Sequence, residues 1–218
     1  FAVASERAGF LKRVYGILFM GILGFAATLW AAGNVGPVRE IAERLGTLIY
    51  ANNYGMLIYI GIFLAGSMAV SALAEKRGIN VVAYAAWVVL LGLLVAPIVL
   101  WTSRLHGPEI ISQASMTTAL VFGGLTVFVL YTGKNFSFLR GALFVLGSAL
   151  LIAVLAGWLF GFTMGLWISV AIVALSAGYI LYYTSVILHQ LPTNMAMTGG
   201  ILLFTQVVLL FKHILILF

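Results

Sequence analysis

The chain has 218 residues, 64% of them hydrophobic and only 7% charged, with a formal net charge of +6 and no cysteine. So few charges cannot clothe a soluble domain, and the chain is read as solvated mainly by lipid. The lack of cysteine excludes disulfides, thiolate catalysis and cysteine metal sites. There is no aspartate, and all five carboxylates lie outside the long apolar runs, so carboxylate-driven transport is an awkward fit.

A bilayer core of roughly 30 Å needs about 20 apolar residues per helix. Seven runs satisfy this, at about 14–34, 48–74, 80–102, 109–132, 138–160, 163–190 and 195–218. They predict an all-α polytopic membrane protein, a seven-transmembrane-helix bundle forming one domain over 1–218. The runs are continuous rather than alternating, which excludes a β-barrel. The first is too long, and lacks a cleavage-like end, for a removed signal peptide. The sequence starts at Phe1 and stops within an apolar run at Phe218, and short tails beyond either end are expected.

Between the first two runs, Val38, Ile41, Ala42 and Leu45 repeat at helical spacing, while Arg39, Glu40, Glu43 and Arg44 fill the other side. Pro37 suits a helix start and Gly46 an end, so a short helix over 37–46 is expected in the outer headgroup layer. A partner-binding helix is the alternative. Turns are expected at Arg77-Gly78-Ile79-Asn80, His106-Gly107-Pro108, Gly133-Lys134-Asn135 and Leu191-Pro192-Thr193-Asn194. Pro97 should kink the third span. Gly21 with Gly24, Gly123-Gly124, and Gly157 with Gly161 read as close helix–helix packing, with Gly157-xxx-Gly161 as a dimer seam the sharper alternative. No internal repeat marks an inverted-repeat transporter.

The basic residues set orientation. Seven (Arg7, Lys12, Arg13, Lys76, Arg77, Lys134, Arg140) fall on the amino-terminal side and three (Arg39, Arg44, Arg104) on the other. The positive-inside rule places the amino terminus in the cytoplasm and, after seven spans, the carboxyl terminus outside. Charges at span ends match topology and lipid headgroups, so nucleic acid is not a predicted partner.

The sixth and seventh spans carry the polar residues of interest. Ser169, Ser176, Tyr183 and Gln190 recur every seven residues on one stripe; Thr198, Thr205 and Lys212 form another, and Gly199, Gln206 and His213 a third beside it. A polar face in lipid must turn toward protein or a water-filled cavity. The two helices are therefore expected to face each other, with Tyr183 and Gln206 near mid-membrane. The contact is either a static interhelical hydrogen bond, worth about 0.6 kcal/mol on average, or part of a functional cavity. Lys212 lies about 9 Å from the end of its run at about 1.5 Å per residue, so it is expected to snorkel outward. His106, His189 and His213 are too scattered for a metal site. A serine-protease pairing of Ser176 with His213 fails because no aspartate can orient the histidine. No catalytic, cofactor or metal site is predicted.

Five segments stand out: Phe10-Leu11-Lys12-Arg13-Val14-Tyr15, Gly92-Leu93-Leu94-Val95-Ala96-Pro97-Ile98, Thr117-Thr118-Ala119-Leu120-Val121-Phe122-Gly123-Gly124, Tyr131-Thr132-Gly133-Lys134-Asn135-Phe136-Ser137-Phe138-Leu139 and, most specifically, Gly178-Tyr179-Ile180-Leu181-Tyr182-Tyr183-Thr184-Ser185. They resemble the Bax inhibitor-1 (TMBIM) family, and within it the bacterial YccA-like branch. Each motif is weak alone; their order across seven spans carries the likeness.

The resemblance implies a bundle with the last helix near its centre, in a bacterial inner membrane. It also implies that Tyr183 and Gln206 stand where calcium-leak members carry an acidic latch pair. Neither ionises usefully near neutral pH, so pH-gated calcium leak is doubtful. A neutral contact between them, direct or through one water, is expected instead. Ser176, Thr205, Lys212 and His213 complete the implied seam, with His213 the group that any residual pH response should track. The branch implies a non-enzymatic regulator that binds and modulates an FtsH-like hexameric membrane protease complex. The alternative is a calcium or small-cation leak channel.

Overall fold

A computed structural model describes residues 4–51, 54–161 and 165–218. Eight helices follow in order: α1 (Ala4–Asn34), α2 (Gly36–Tyr50), α3 (Gly55–Leu73), α4 (Ile79–His106), α5 (Glu109–Thr132), α6 (Leu139–Phe160), α7 (Gly165–His189) and α8 (Ala196–Leu217). All but α2 are long and apolar enough to cross a membrane, and no strand occurs among the described residues. The chain is an all-α, multi-pass membrane protein.

Some boundaries differ from expectation. The first span starts near residue 4 rather than 14, since the polar first turns continue the same helix. The short helix is 15 residues long and runs to Tyr50, taking in the first residues of the expected second span, which instead begins at Gly55. Gly46 does not end α2. A Cβ there would sit 3.0 Å from Pro97 Cβ, so this glycine serves a close approach of α2 to α4. Val35, in an extended conformation (φ −108°, ψ 114°), is what separates α1 from α2. Gly161 adopts φ 72° and terminates α6, so Gly157 and Gly161 do not share a helix face as a dimer seam would require. Residues 163–164, at the expected start of the sixth span, lie outside the described residues.

The chain divides into two compact units. One comprises residues 8–109 and 194–204; the other holds residues up to Arg7, 110–193 and 205–218. In the first, α1 and α4 run parallel. Tyr84 donates from its hydroxyl to the Ile17 carbonyl (3.1 Å), Gly24 meets Val88, and Gly92 meets Thr28. Gly21 faces the Tyr84 ring, where any Cβ would overlap the phenol, so close approach of the backbone is built into this pairing. Phe204, on the first half of α8, meets Phe25 and Tyr84 edge-on at 6.3 and 5.6 Å. The buried alanines Ala32, Ala42 and Ala96 clasp α2 against α1 and α4. Outside this clasp, exposed ion pairs Arg44–Glu40 (2.5 Å) and Arg104–Glu43 (3.1 Å) lie over the polar face of α2. Such exposed pairs contribute only about 0–1 kcal/mol, so the apolar clasp holds the helix. Gly123 and Gly124, read as packing glycines, would meet nothing within 4 Å among the described residues.

In the second unit, α7 is fastened at several points. Its Tyr179 hydroxyl donates to the Leu143 carbonyl of α6 (3.3 Å), and Gly178 admits the Leu143 side chain. Buried Ser185 accepts at its hydroxyl from the Phe136 amide (2.7 Å), joining α7 to the α5–α6 connection.

Candidate functional site

Polar side chains in a span remain stable only where protein covers them, and α7 and α8 show where that happens. On α7, Ser169, Ser176, Thr184 and Ser185 are all buried. The stripe read from the sequence continued from Ser176 to Tyr183 and Gln190. The buried face instead advances through Ile180, Thr184 and Ile187, leaving Tyr183 half-buried and Gln190 exposed. The cause is geometric: at 3.6 residues per turn a strict seven-residue spacing drifts around the helix.

The second half of α8 is covered on all sides. Six consecutive residues, Leu210 to Leu215, are buried, among them Lys212 and His213 at 7% exposure each; Gln206 is at 9%. Lys212 therefore does not snorkel. Its neighbours from Leu210 to Leu215 are enclosed, so its stem has no outward course, and the residue is engaged within the protein. Thr205 is half-buried and likewise engaged.

A hydrogen bond that spacing alone did not single out joins α7 to α8. His213 Nδ1 lies 3.2 Å from Ser169 Oγ, and Ser169 Oγ is also 3.1 Å from the Gly165 carbonyl. A hydroxyl has one proton. If Ser169 donates to Gly165, as a serine can back-bond within a helix, His213 must carry its proton on Nδ1 and donate to the serine. If Ser169 turns to His213, the ring nitrogen accepts and the Gly165 carbonyl loses a bond. Ser176, the serine first weighed as a partner for His213, is buried elsewhere on the α7 face. The Ser169–His213 pair lacks a carboxylate to orient the ring, because the chain has no aspartate and none of its glutamates lies on α7 or α8. Among the described residues no three metal-ligating side chains gather.

Tyr183 belongs to a ring cluster. It stacks on Tyr179 at 5.3 Å and 25°, and tilts against Tyr182 at 5.2 Å. Among the described residues no direct hydrogen bond joins it to Gln206. The Thr184 hydroxyl is fully enclosed with no partner among the described residues.

One residue that sequence reasoning used only for orientation shapes this unit. The Arg7 guanidinium donates to two carbonyls in the last turn of α7, Leu188 (2.9 Å) and Ile187, and to that of Leu191 (2.7 Å) just past it. The last carbonyls of a helix have no partner within it, and they form the negative end of its dipole. A forked cation satisfies both demands together. The signal in the sequence was faint: one arginine ahead of an apolar run looks like any other topogenic charge.

Comparison with known proteins places this arrangement. The sequence model of the family described as inhibitor of apoptosis-promoting Bax1 matches residues 7–218. An uncharacterized protein of Pseudomonas aeruginosa is 32% identical over 201 residues, covering 90% of this chain and 83% of the relative. The Golgi anti-apoptotic protein of Vaccinia virus (strain Lister) is 27% identical over 213 residues, covering 96% and 84%. Protein lifeguard 4 of Mus musculus is 26% identical over 213 residues, with the same coverage of 96% and 84%. With nearly the whole length matched and all seven spans present, the chain belongs to the Bax inhibitor-1 family.

Proposed function

We propose that this protein is a non-enzymatic regulator of the bacterial inner membrane. In this reading it acts through contacts with a membrane-protein partner, of which an FtsH-like protease complex is the candidate that the YccA-like resemblance supplies. The observation that carries the reading is Lys212, buried next to His213 on α8, with no carboxylate along α7 or α8. A path for cations needs oxygen ligands or negative charge at its narrow point. A buried ammonium there repels a permeating cation instead. The viral relative's name denotes opposition to a process rather than a reaction, which agrees with a regulator. The excess of basic residues on the amino-terminal side supports a cytoplasmic amino terminus and an outside carboxyl terminus.

The test pairs two measurements on the full chain. Affinity isolation from native membranes should recover an ATP-dependent membrane protease, and proteoliposomes should show calcium flux at the level of empty vesicles. Robust cation flux with no protease recovered would reverse the assignment in favour of a leak channel.

A further inference from the structure

The register of α1 against α4 has a consequence at the amino-terminal ends of both helices. The pairs Gly24–Val88 and Gly92–Thr28, with Tyr84 bonded to Ile17, give parallel helices offset by about 64 residues. Carried back toward the amino terminus, that offset sets Tyr15 level with Ile79, the first residue of α4, so Lys12 and Arg13 of α1 and Lys76 and Arg77 of the turn ahead of α4 lie at the same end of the helix pair. All four side chains are exposed. The turn carrying the second pair is fixed: the Asn80 amide donates to the Lys76 carbonyl (2.9 Å), and the Asn80 side-chain amide donates to the Ala74 carbonyl (3.3 Å). Glu75 is the carboxylate beside this pair, and Glu6 stands nearly two turns earlier on α1.

The surface beneath the cations is equally distinctive. On α1, Gly9 and Gly16 flank Lys12 and Arg13 on one exposed face, and a Cβ at either glycine would meet nothing within 4 Å. A headgroup can thus approach the helix backbone on either side of the two cations. Further into the membrane the same face continues with exposed Met20 and Leu23. The stripe is cationic at the headgroup level and apolar below it, which is the polarity of a phospholipid turned to complementary charge.

We propose that the amino-terminal ends of α1 and α4 form a binding site for an anionic phospholipid whose headgroup carries two phosphates. One phosphate is taken by Lys12 and Arg13, the other by Lys76 and Arg77, and the acyl chains lie along the exposed face of α1. Two cationic pairs on neighbouring helices suit a doubly charged headgroup better than a singly charged one, because both pairs are engaged by one molecule.

Native mass spectrometry of the detergent-purified full chain, with added diphosphatidylglycerol or phosphatidylcholine, tests this. Diphosphatidylglycerol should be retained and phosphatidylcholine stripped. Lys12→Gln/Arg13→Gln and Lys76→Gln/Arg77→Gln should each weaken retention by on the order of tenfold, whereas Lys134→Gln/Arg140→Gln should not. A salt titration of the unaltered protein gives a readout independent of any variant: retention should fall as the phosphates are screened. Equal retention of phosphatidylcholine, indifference to salt, or full retention in both double variants would overturn the proposal. So would a polyglutamate peptide that binds as tightly as the lipid, because it would assign the surface to an acidic protein segment.

Discussion

His213 and Ser169 stand 44 positions apart in sequence and meet at 3.2 Å, both buried, as the hydrogen bond that ties the end of α8 to the start of α7. Removing the serine strands the histidine, whereas Ser169 keeps the Gly165 carbonyl when His213 is lost. Ser169→Ala should lower stability by about 1–2 kcal/mol, because the histidine nitrogen is left unpaired away from water. The double variant Ser169→Ala/His213→Leu should recover part of the loss, since neither polar group remains. A double-mutant cycle on thermal unfolding in detergent measures this, and strictly additive effects would show that the contact carries no coupling.

Arg7 should prove more sensitive than a topogenic charge. Arg7→Ala leaves three carbonyls at and just past the end of α7 without their donor and should destabilise by roughly 2 kcal/mol. Arg7→Lys keeps the charge but gathers its donors on one nitrogen instead of spreading them over the three that Arg7 uses, so it should recover only part of the difference. Limited proteolysis within residues 189–194 reads the loosening. Equal resistance in all three proteins would mean that the cap is dispensable.

Close approach between α1 and α4 predicts a second kind of sensitivity. Gly21→Ala should overlap the Tyr84 phenol and lower stability by about 1–3 kcal/mol, as overpacking does. Tyr84→Phe removes the overlapping hydroxyl and should relieve part of that loss in the double variant. Gly123→Ala, at an open position, should be neutral or slightly stabilising. Thermal unfolding of the four proteins gives the comparison.

At the seam, neither Tyr183 nor Gln206 changes charge between about pH 5 and 8. Cation flux through the protein in liposomes should therefore stay at background throughout that interval, and any residual pH response should vanish in His213→Ala. Tyr183→Asp with Gln206→Asp should introduce proton-dependent leakage only if the path through the seam is otherwise open. Steep pH-dependent calcium flux in the unaltered protein, undiminished in His213→Ala, would defeat this account.

The spans and the amphipathic α2 could be read from residues because hydropathy and helical period are local properties. Val38 and Ala42 mark the buried side of α2 in the sequence and in the structure alike. Gly46 misled because a glycine looks the same whether it stops a helix or admits a neighbour; only Pro97 across the interface distinguishes the two. Lys212 misled for a related reason. Distance from the end of a run predicts an outward course, but coverage of Leu210 to Leu215 on every side depends on helices that spacing within α8 cannot report. Ser169 stood on the correct stripe, yet its pairing with His213 depends on the register between two helices. Arg7 was the least legible, since its three acceptors are backbone atoms and leave no trace in side-chain pattern.

The Arg7 cap also bears on how the protein is made. Its acceptors lie 180 to 184 positions downstream, so this contact cannot form until the seventh helix has been synthesised. Until then the emerging chain carries an unsatisfied guanidinium at one end and, briefly, a bare row of carbonyls at the other. A bulky fusion placed directly ahead of Arg7 should delay maturation more than one placed in the exposed connection around Lys134, although both leave every span untouched.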